Sequence, residues 1–336
     1  MILLSVKQLF LRNNRFKERF WAKRCYLRSG ILPRIYRYKN DDMGSLNAML
    51  MGELIRGCDR LSASSRNSVS DFVLSRESPS GGFMDRAGRP DVYYTFFGLA
   101  SAFALGLRLN DSHKRFLEAI DPSTLDLPNY AAYMGSLGLS RYFSLPKKMR
   151  SVLVRSAARL PLGAKKNPLT QKFPLTPESS PYTIFLSLMG SAISADDRGP
   201  ILDARERIDA FHVDTGGWSN IKGNSEASLN ATAAVLAMFG HARVKVDEND
   251  IKWLKAQQLP LGGFLSSSKA PLPDLLSTAT ALAALKMTGE KPDYPVVDFI
   301  QFHWRSDGGF ASTFMDEKTD CEYTFYGLLA LGASHR

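Results

Sequence analysis

The chain has 336 residues, of which 44% are hydrophobic and 11% aromatic, and its net charge is +10. This composition is typical of a globular protein with a large core, and no run of 18 apolar residues predicts a transmembrane helix. Cys25, Cys58 and Cys321 are scattered without a Cys-x-x-Cys spacing, which argues against a disulfide framework and a structural zinc site. We therefore expect a reducing, cytoplasmic setting.

Residues 1–43 are predicted to form a basic amphipathic arm. Residues 1–40 contain eleven Lys and Arg and a single acid, Glu18, whereas the remaining chain contains 32 basic and 32 acidic residues. Leu, Phe, Trp and Tyr alternate with these basic residues, as in helices that lie on an anionic membrane surface. We consider packing of the arm on the protein's own body first and peripheral membrane contact second. Nucleic acid is the third alternative and is not expected as a partner.

Four Gly-Gly-aromatic triplets organise the rest of the chain. They are Gly81-Gly82-Phe83, Gly216-Gly217-Trp218, Gly262-Gly263-Phe264 and Gly308-Gly309-Phe310. The last three begin 46 residues apart, and the first lies 135 residues before the second, which leaves room for two further repeats. A regular spacing of this length indicates stacked helical repeats.

Each triplet precedes a nearly uncharged stretch of small residues with helical character, and the same pattern occurs twice between the first and second triplets. An Asp or Ser stands where a helix N-cap is expected, at Asp91, Asp126, Ser179, Ser228, Asp274 and Asp320. The sequence therefore predicts six helices of one type, near residues 92–106, 129–142, 181–193, 228–240, 275–287 and 321–333.

Charged amphipathic segments alternate with these helices, at residues 64–76, 111–120, 147–158, 199–211, 247–257 and 294–302. Because uncharged helices belong inside a protein and charged amphipathic helices outside, the alternation predicts an all-α fold. This fold is an α6/α6 toroid, in which an outer ring of six helices surrounds an inner ring of six. One repeat cannot bury its apolar face alone, so residues 44–336 are predicted to form one domain.

The stretches GGFMDRAGRPDVYYTFFGLA and SDGGFASTFMDEKTDCEYTFYGLLALG resemble the repeats of protein prenyltransferase β-subunits. Gln258, Gly262 and Phe264 are similar to the repeat motif of the squalene cyclases in the same superfamily. The resemblance covers about residues 75–336. It implies an α/α toroid with an isoprenoid or other lipid ligand in the bore and, as in the transferases, a helical-repeat partner subunit.

The zinc-binding motif of the resembling transferases is incomplete in this sequence. Their Asp-x-Cys motif falls on Asp320 and Glu322, with Cys321 between them, and their zinc-binding His falls on Tyr94. Two carboxylates and a phenol suit a hard cation, so a metal at Asp320 and Glu322 is expected to be Mg²⁺ rather than zinc. Since the last repeat of a closed ring neighbours the first, Asp320, Glu322, Tyr94 and Tyr323 are predicted to form the catalytic site.

Substrate-binding residues are predicted on the inner helices and in the loops before them. Phe97 and Phe325 belong to an aromatic funnel suited to an isoprenoid, with packing inside the barrel as the alternative role. Six helix N-termini at one mouth favour an anion such as a diphosphate, and Arg86, Arg89 and Lys318 in the loops add positive charge.

Helix capping is the alternative role for Asp320 and for Asp91, which is also predicted to bind substrate. The repeat does not require an acid at Glu322, since the equivalent position in the first repeat is Tyr93. The Asp-x-Asp-Asp acid motif of the resembling cyclases is absent. We therefore expect an enzyme of isoprenoid transfer or cyclisation, with a non-catalytic lipid-binding or assembly module on the same toroid as the alternative.

Overall fold

The computed structural model describes residues 45–144, 172–190 and 198–334. The predicted arm (1–43), the predicted outer helix at 147–158 and the end of the predicted inner helix 181–193 lie outside these residues. None of the described helices combines the length and the apolar character needed to cross a membrane.

Six helices of the predicted inner type are present within one or a few residues of their expected bounds. They are α3 (Val92–Leu105), α5 (Leu127–Phe143), α6 (Pro181–Gly190), α9 (Leu229–Ala242), α11 (Leu275–Met287) and α13 (Cys321–Ala333). Each contacts the next in chain order, and α13 contacts α3, so the ring closes. The all-α toroid predicted from the repeats is confirmed.

The described outer helices lie at the expected places between the inner ones. They are α2 (Ala63–Ser75), α4 (Ser112–Glu118), α7 (Arg198–Asp203) with α8 (Arg205–Asp209), α10 (Glu248–Ala256) and α12 (Val297–Phe302). The predicted segment 199–211 is therefore two short helices. Two short antiparallel strand pairs lead into α3 and α13: β1 (Phe83–Met84) with β2 (Pro90–Asp91), and β3 (Phe310–Ala311) with β4 (Thr319–Asp320).

Hydrogen bonds explain why a threonine and a cap residue recur in each repeat. The backbone N–H of Phe83 donates to the Thr95 hydroxyl at 2.8 Å, and that hydroxyl donates to the carbonyl of the cap residue Asp91 at 2.6 Å. The threonines that follow the other three triplets accept the aromatic residue's N–H in the same way. In the third repeat the cap of the helix is Ser180, one residue later than predicted, because its hydroxyl accepts the N–H of Thr183.

The first glycine of each triplet lies against the outer helix of the next repeat. Gly308 has φ +94°, and a Cβ there would lie 2.1 Å from the carbonyl oxygen of Ser68 in α2. Only glycine combines this left-handed backbone with such a close approach. Because Ser68 belongs to the first repeat and Gly308 to the last, this contact also closes the outer ring.

One helix, α1 (Leu46–Arg60), lies outside the predicted repeats. It packs on the C-terminal ends of the inner helices: Asn47 Nδ2 donates to the carbonyl of Met189 at 2.7 Å, and Lys286 Nζ donates to Glu53 Oε2 at 2.9 Å. A Cβ on Gly57 would lie 1.8 Å from the carbonyl oxygen of Leu328, so α1 and α13 approach backbone to backbone. This end of the barrel is therefore covered.

Candidate functional site

A cavity of about 230 Å³ runs along the bore of the barrel. The small residues of the inner helices leave this space open, among them Ala132, Gly135, Ala233, Ala234, Ala237 and Ala283. Aromatic rings form much of the remaining wall, namely Tyr93, Phe96, Phe97, Tyr182, Phe185, Phe325 and Tyr326. Among the described residues that line the cavity, none is Asp, Glu, Lys, Arg or His. The cavity is therefore suited to an apolar ligand.

The two ends of the cavity differ. At the C-terminal ends of the inner helices, Asn47, Leu50 and Met51 of α1 form part of the wall. At the N-terminal ends, Tyr182 and Asn230 line the cavity and are also exposed, Tyr182 by 38%. We refer to the first as the closed end and to the second as the open end.

Glu322 lies at the open end, where α13 meets α3. The Tyr93 hydroxyl donates a hydrogen bond to Glu322 Oε1 at 2.8 Å, and Tyr93 itself lines the cavity. Burial raises the pKa of Glu322 from an ordinary 4.5 to about 7. Burial also raises the pKa of Tyr182 and of Tyr326, and the nearby Glu322 charge raises both further. A carboxyl that titrates near neutral pH is thus surrounded by phenols.

Asp320 is fully buried and is held by two donors. It caps α13 by accepting the N–H of Tyr323 at 2.8 Å, and it accepts Arg86 Nε at 2.5 Å. Arg86 Nη1 also pairs with Asp316 Oδ2 at 2.9 Å, and the guanidinium lies 5.3 Å from the centroid of the Tyr323 ring. Burial raises the pKa of Asp320 in spite of these donors. The geometry therefore assigns Asp320 to capping and ring closure.

The structure brings most of the predicted site residues together at the junction of the last and first repeats. Tyr94 lies beside both carboxylates: burial raises its pKa to about 12, and the charges of Asp320 and Glu322 contribute. Asp91 caps α3 by accepting the N–H of Tyr94 at 3.0 Å. Asp91 and Asp320 thus both have the helix-capping role that the sequence analysis gave as the alternative to a role in the site.

The remaining predicted residues separate into two groups. Phe97 and Phe325 line the cavity, with ring centroids 5.2 Å apart. Arg89 and Lys318 do not line it: the Arg89 side chain is 79% exposed and pairs with Asp85 at 3.2 Å, and Lys318 is exposed. Arg89 and Lys318 therefore stay predictions as binding residues, without a contact to the cavity.

Two tyrosines of the open end, Tyr93 and Tyr182, were not predicted as site residues. Tyr93 and Glu322 occupy the same position in the first and the last repeat. Because equivalent positions of neighbouring repeats face each other across a closed ring, the register contained the signal for this contact. Tyr326 follows Glu322 by four residues, the spacing that places two side chains on one helix face.

The described residues do not form a cluster of the usual metal-binding side chains. Within 45–144, 172–190 and 198–334, no three His, Cys, Asp or Glu side chains come together as a possible ligand group. The Asp320 carboxylate is already bonded to Arg86, and burial raises the pKa of the Cys321 thiol, which disfavours a thiolate ligand. A Mg²⁺ at Asp320 and Glu322 would have no third His, Cys, Asp or Glu ligand among the described residues, and it stays a prediction.

The fold and the bore together define an α/α toroid with an apolar central cavity. The family model described as the prenyltransferase alpha-alpha toroid domain matches residues 27–125 and 172–334, more than half of the chain. The chain therefore belongs to this family. Comparison with curated proteins finds no match.

A terpene cyclase and a protein geranylgeranyltransferase are among the solved structures that are similar to this chain. The type II terpene cyclase MstE from Scytonema is 12% identical, over 86% of this chain and 98% of its own, with a TM-score of 0.44. Protein geranylgeranyltransferase-I of Candida albicans, complexed with GGPP, is 11% identical, over 87% of this chain and 84% of its own, with a TM-score of 0.38. These values are too low to say anything about function, and the family assignment rests on the domain match.

Proposed function

We propose that this protein binds an isoprenoid chain in the bore of the toroid and acts on it as an enzyme of isoprenoid transfer or cyclisation. The observation that carries the proposal is the cavity itself, which is apolar, lined by all six inner helices and covered at one end by α1. Membership of the prenyltransferase toroid family supports an isoprenoid over other apolar ligands.

The wall of the cavity supports the same choice of ligand. Tyr93, Phe97, Phe325 and Tyr326 form a continuous aromatic cluster, in which the ring centroid of Phe97 lies 4.9 Å from Tyr93 and 5.7 Å from Tyr326. Aromatic faces pack against hydrocarbon and also attract positive charge. Both properties suit isoprenoids, because reactions at their double bonds and allylic carbons develop carbocation character.

Glu322 is the group that supports an enzyme. A general acid or base works best when its pKa lies near the working pH, and burial raises the pKa of Glu322 to about 7. Its carboxyl is positioned by the Tyr93 hydroxyl at the edge of the cavity. In this proposal Glu322 is the proton-transferring residue, and Tyr93 is a positioning residue that acts through it.

A non-catalytic lipid-binding or assembly module is the second candidate. Two observations support it. The Asp320 carboxylate already accepts hydrogen bonds from the Tyr323 N–H and from Arg86, and no group of three His, Cys, Asp or Glu side chains lies together among the described residues. The two candidates share the ligand and differ in turnover. Contact of residues 1–40 with an anionic membrane, a cytoplasmic location and a helical-repeat partner subunit stay predictions.

A cavity-filling substitution tests the ligand site. Ala234→Phe places a ring in the bore, and we expect it to weaken binding of farnesol or geranylgeraniol at least tenfold, about 1.4 kcal/mol. Ala256→Phe on the exposed end of α10 adds the same ring outside and should leave binding unchanged. The measurement is retention of the lipid in native mass spectrometry over a concentration series.

Equal binding by wild type and Ala234→Phe would contradict the site. For turnover, wild type and Glu322→Gln are incubated with the same lipids and the products are analysed by mass spectrometry. A product formed by wild type and lost in Glu322→Gln, while binding persists, supports the enzyme. Binding without any product in both proteins would support the lipid-binding module.

A further inference from the structure

Resting on the proposed function, we infer that the lipid accepted by this cavity carries an uncharged, hydrogen-bonding head group, such as an alcohol, instead of a diphosphate. The head group lies at the open end, among Glu322, Tyr182, Tyr326 and Asn230. This inference goes against the expectation of a diphosphate drawn from the helix N-termini and the basic loop residues.

Within the part of the chain that the structure describes, the cations near the open end already have partners. Arg86 is shared between Asp316 and Asp320. Lys269 pairs with Glu226, and Lys172 Nζ donates to the carbonyls of Ser123 at 3.0 Å and Leu125 at 2.8 Å. A diphosphate carries several negative charges, and taking it out of water needs compensating cations at the site.

The other cations in the described loops before the inner helices lie outside the cavity. Arg89, Lys222 and Lys318 are exposed side chains, and none of them is among the described residues that line the cavity. Exposed pairs between such side chains and an anion contribute about 1 kcal/mol or less. They do not replace the buried, directed cations that bind a diphosphate in a water-excluded site.

The helix N-termini at the open end are also occupied. Asp91, Asp274 and Asp320 cap α3, α11 and α13, so each of these helix ends already has a carboxylate. The first N–H of α9, from Leu229, donates to the Ser266 carbonyl, and that of α11, from Leu275, donates to the Ser312 carbonyl, both at 2.9 Å. Several of the amides that would attract an anion are therefore bonded within the protein.

Apart from the paired Arg86, the described groups around Glu322 at the open end are acidic or neutral. Glu322 is surrounded by the phenols of Tyr93, Tyr182, Tyr323 and Tyr326, with the carboxylates of Asp320 and Asp274 and the paired Arg86 close by. Ionised Glu322 repels an anion, and neutral Glu322 contributes no positive charge to compensate one. A carboxyl, phenols and the Asn230 amide offer donors and acceptors to a hydroxyl group.

The nature of the head group distinguishes isoprenoid transfer from cyclisation, the two reactions of the proposed function. Transfer of an isoprenoid requires a leaving group such as diphosphate on the ligand, whereas cyclisation of an uncharged isoprenoid does not. An alcohol-bearing ligand therefore favours cyclisation, or binding alone, over transfer.

The test compares farnesol with farnesyl diphosphate, which share one hydrocarbon chain, on the full-length protein in native mass spectrometry and in competition. We expect farnesol to bind at least tenfold more tightly. Glu322→Gln removes the acid and should reduce this preference several-fold, mainly by improving diphosphate binding. Glu317→Gln, an exposed carboxylate in the loop before α13, is the matched control and should keep the preference of wild type.

The outcomes distinguish this inference from the proposed function. Tighter binding of the diphosphate than of farnesol overturns the inference and leaves the isoprenoid cavity intact. Binding of neither compound overturns the proposed function itself. A preference for farnesol that is the same in wild type and Glu322→Gln would show that the head group does not lie at Glu322, which also overturns the inference.

Discussion

The closed and open ends of the barrel each contain a buried carboxylate with a cation, and the open end also contains Glu322, which pairs with no cation. At the closed end Glu53 is 5% exposed and bonds to Arg56 and to Lys286. At the open end Asp320 bonds to Arg86, whereas Glu322 accepts a tyrosine hydroxyl. Among the described residues no Lys or Arg forms an ion pair with Glu322.

This difference separates carboxylates that hold the ring together from one that is free for chemistry. The carboxylates of Glu53 and Asp320 each pair with a cation from another element and so tie two elements of the fold together. Glu322 pairs with no cation, accepts a hydrogen bond from a phenol, and has its pKa raised by burial to about 7. Single substitutions at either end test this difference between the carboxylates.

The largest effect is expected at the ring closure of the open end. Arg86→Met leaves the fully buried Asp320 carboxylate without its cation, and we expect a loss of about 3 kcal/mol in the free energy of unfolding. Arg89→Met removes a cation that is 79% exposed and should change stability by less than about 0.5 kcal/mol. Urea denaturation at pH 8 measures both, and similar losses in the two variants would contradict the assignment of Arg86.

A smaller effect is expected where α1 covers the closed end. Gly57→Ala forces a Cβ toward the Leu328 carbonyl oxygen, so α1 must move away from α13, and we expect a loss of about 2 kcal/mol. Gly199→Ala in helix α7 is the matched control, because a Cβ there meets no atom within 4 Å and alanine favours a helix. The same denaturation experiment compares them. A Gly57→Ala variant as stable as Gly199→Ala would show that α1 does not pack as described.

The third effect concerns Glu322 and depends on pH. Because the folded protein keeps the proton up to about pH 7 while the unfolded chain releases it near pH 4.5, wild-type stability falls as the pH rises between these values. Glu322→Gln removes this fall, so the variant should match wild type at pH 4 and exceed it at pH 8 by up to about 3 kcal/mol. The measurement is urea denaturation across this range, with Glu317→Gln as control. A difference independent of pH would place the pKa of Glu322 at its ordinary value.

The repeat register was enough to predict the toroid, because a cap, a threonine and a glycine pair each fulfil a local requirement that recurs. The Thr95 hydroxyl and the left-handed Gly308 show what those requirements are. Helix α1 was missed because it belongs to no repeat. Its signals were apolar residues at helical spacing, such as Leu46, Leu50 and Leu54, and a Ser45 cap.

Only one rule predicted the site from the sequence: in a closed ring, the last repeat lies beside the first. That rule brought Asp320, Glu322 and Tyr94 together, but it gave no information on which charges would be paired. The bond from Arg86 to Asp320 joins residues 234 positions apart, and whether a loop arginine reaches a buried carboxylate depends on tertiary packing. The same holds for α1, which reaches the cavity through Leu50 and Met51.

Photoaffinity labelling tests the central claim most directly. Two farnesol analogues are used, one with a diazirine at the hydrocarbon end and one with a diazirine beside the hydroxyl, and the labelled peptides are identified by mass spectrometry. The account predicts that the first labels α1 near Leu50 and Met51, and that the second labels the open end near Tyr93 or Tyr326. Labels confined to the outer helices, or the same two sites in reverse order, would contradict it.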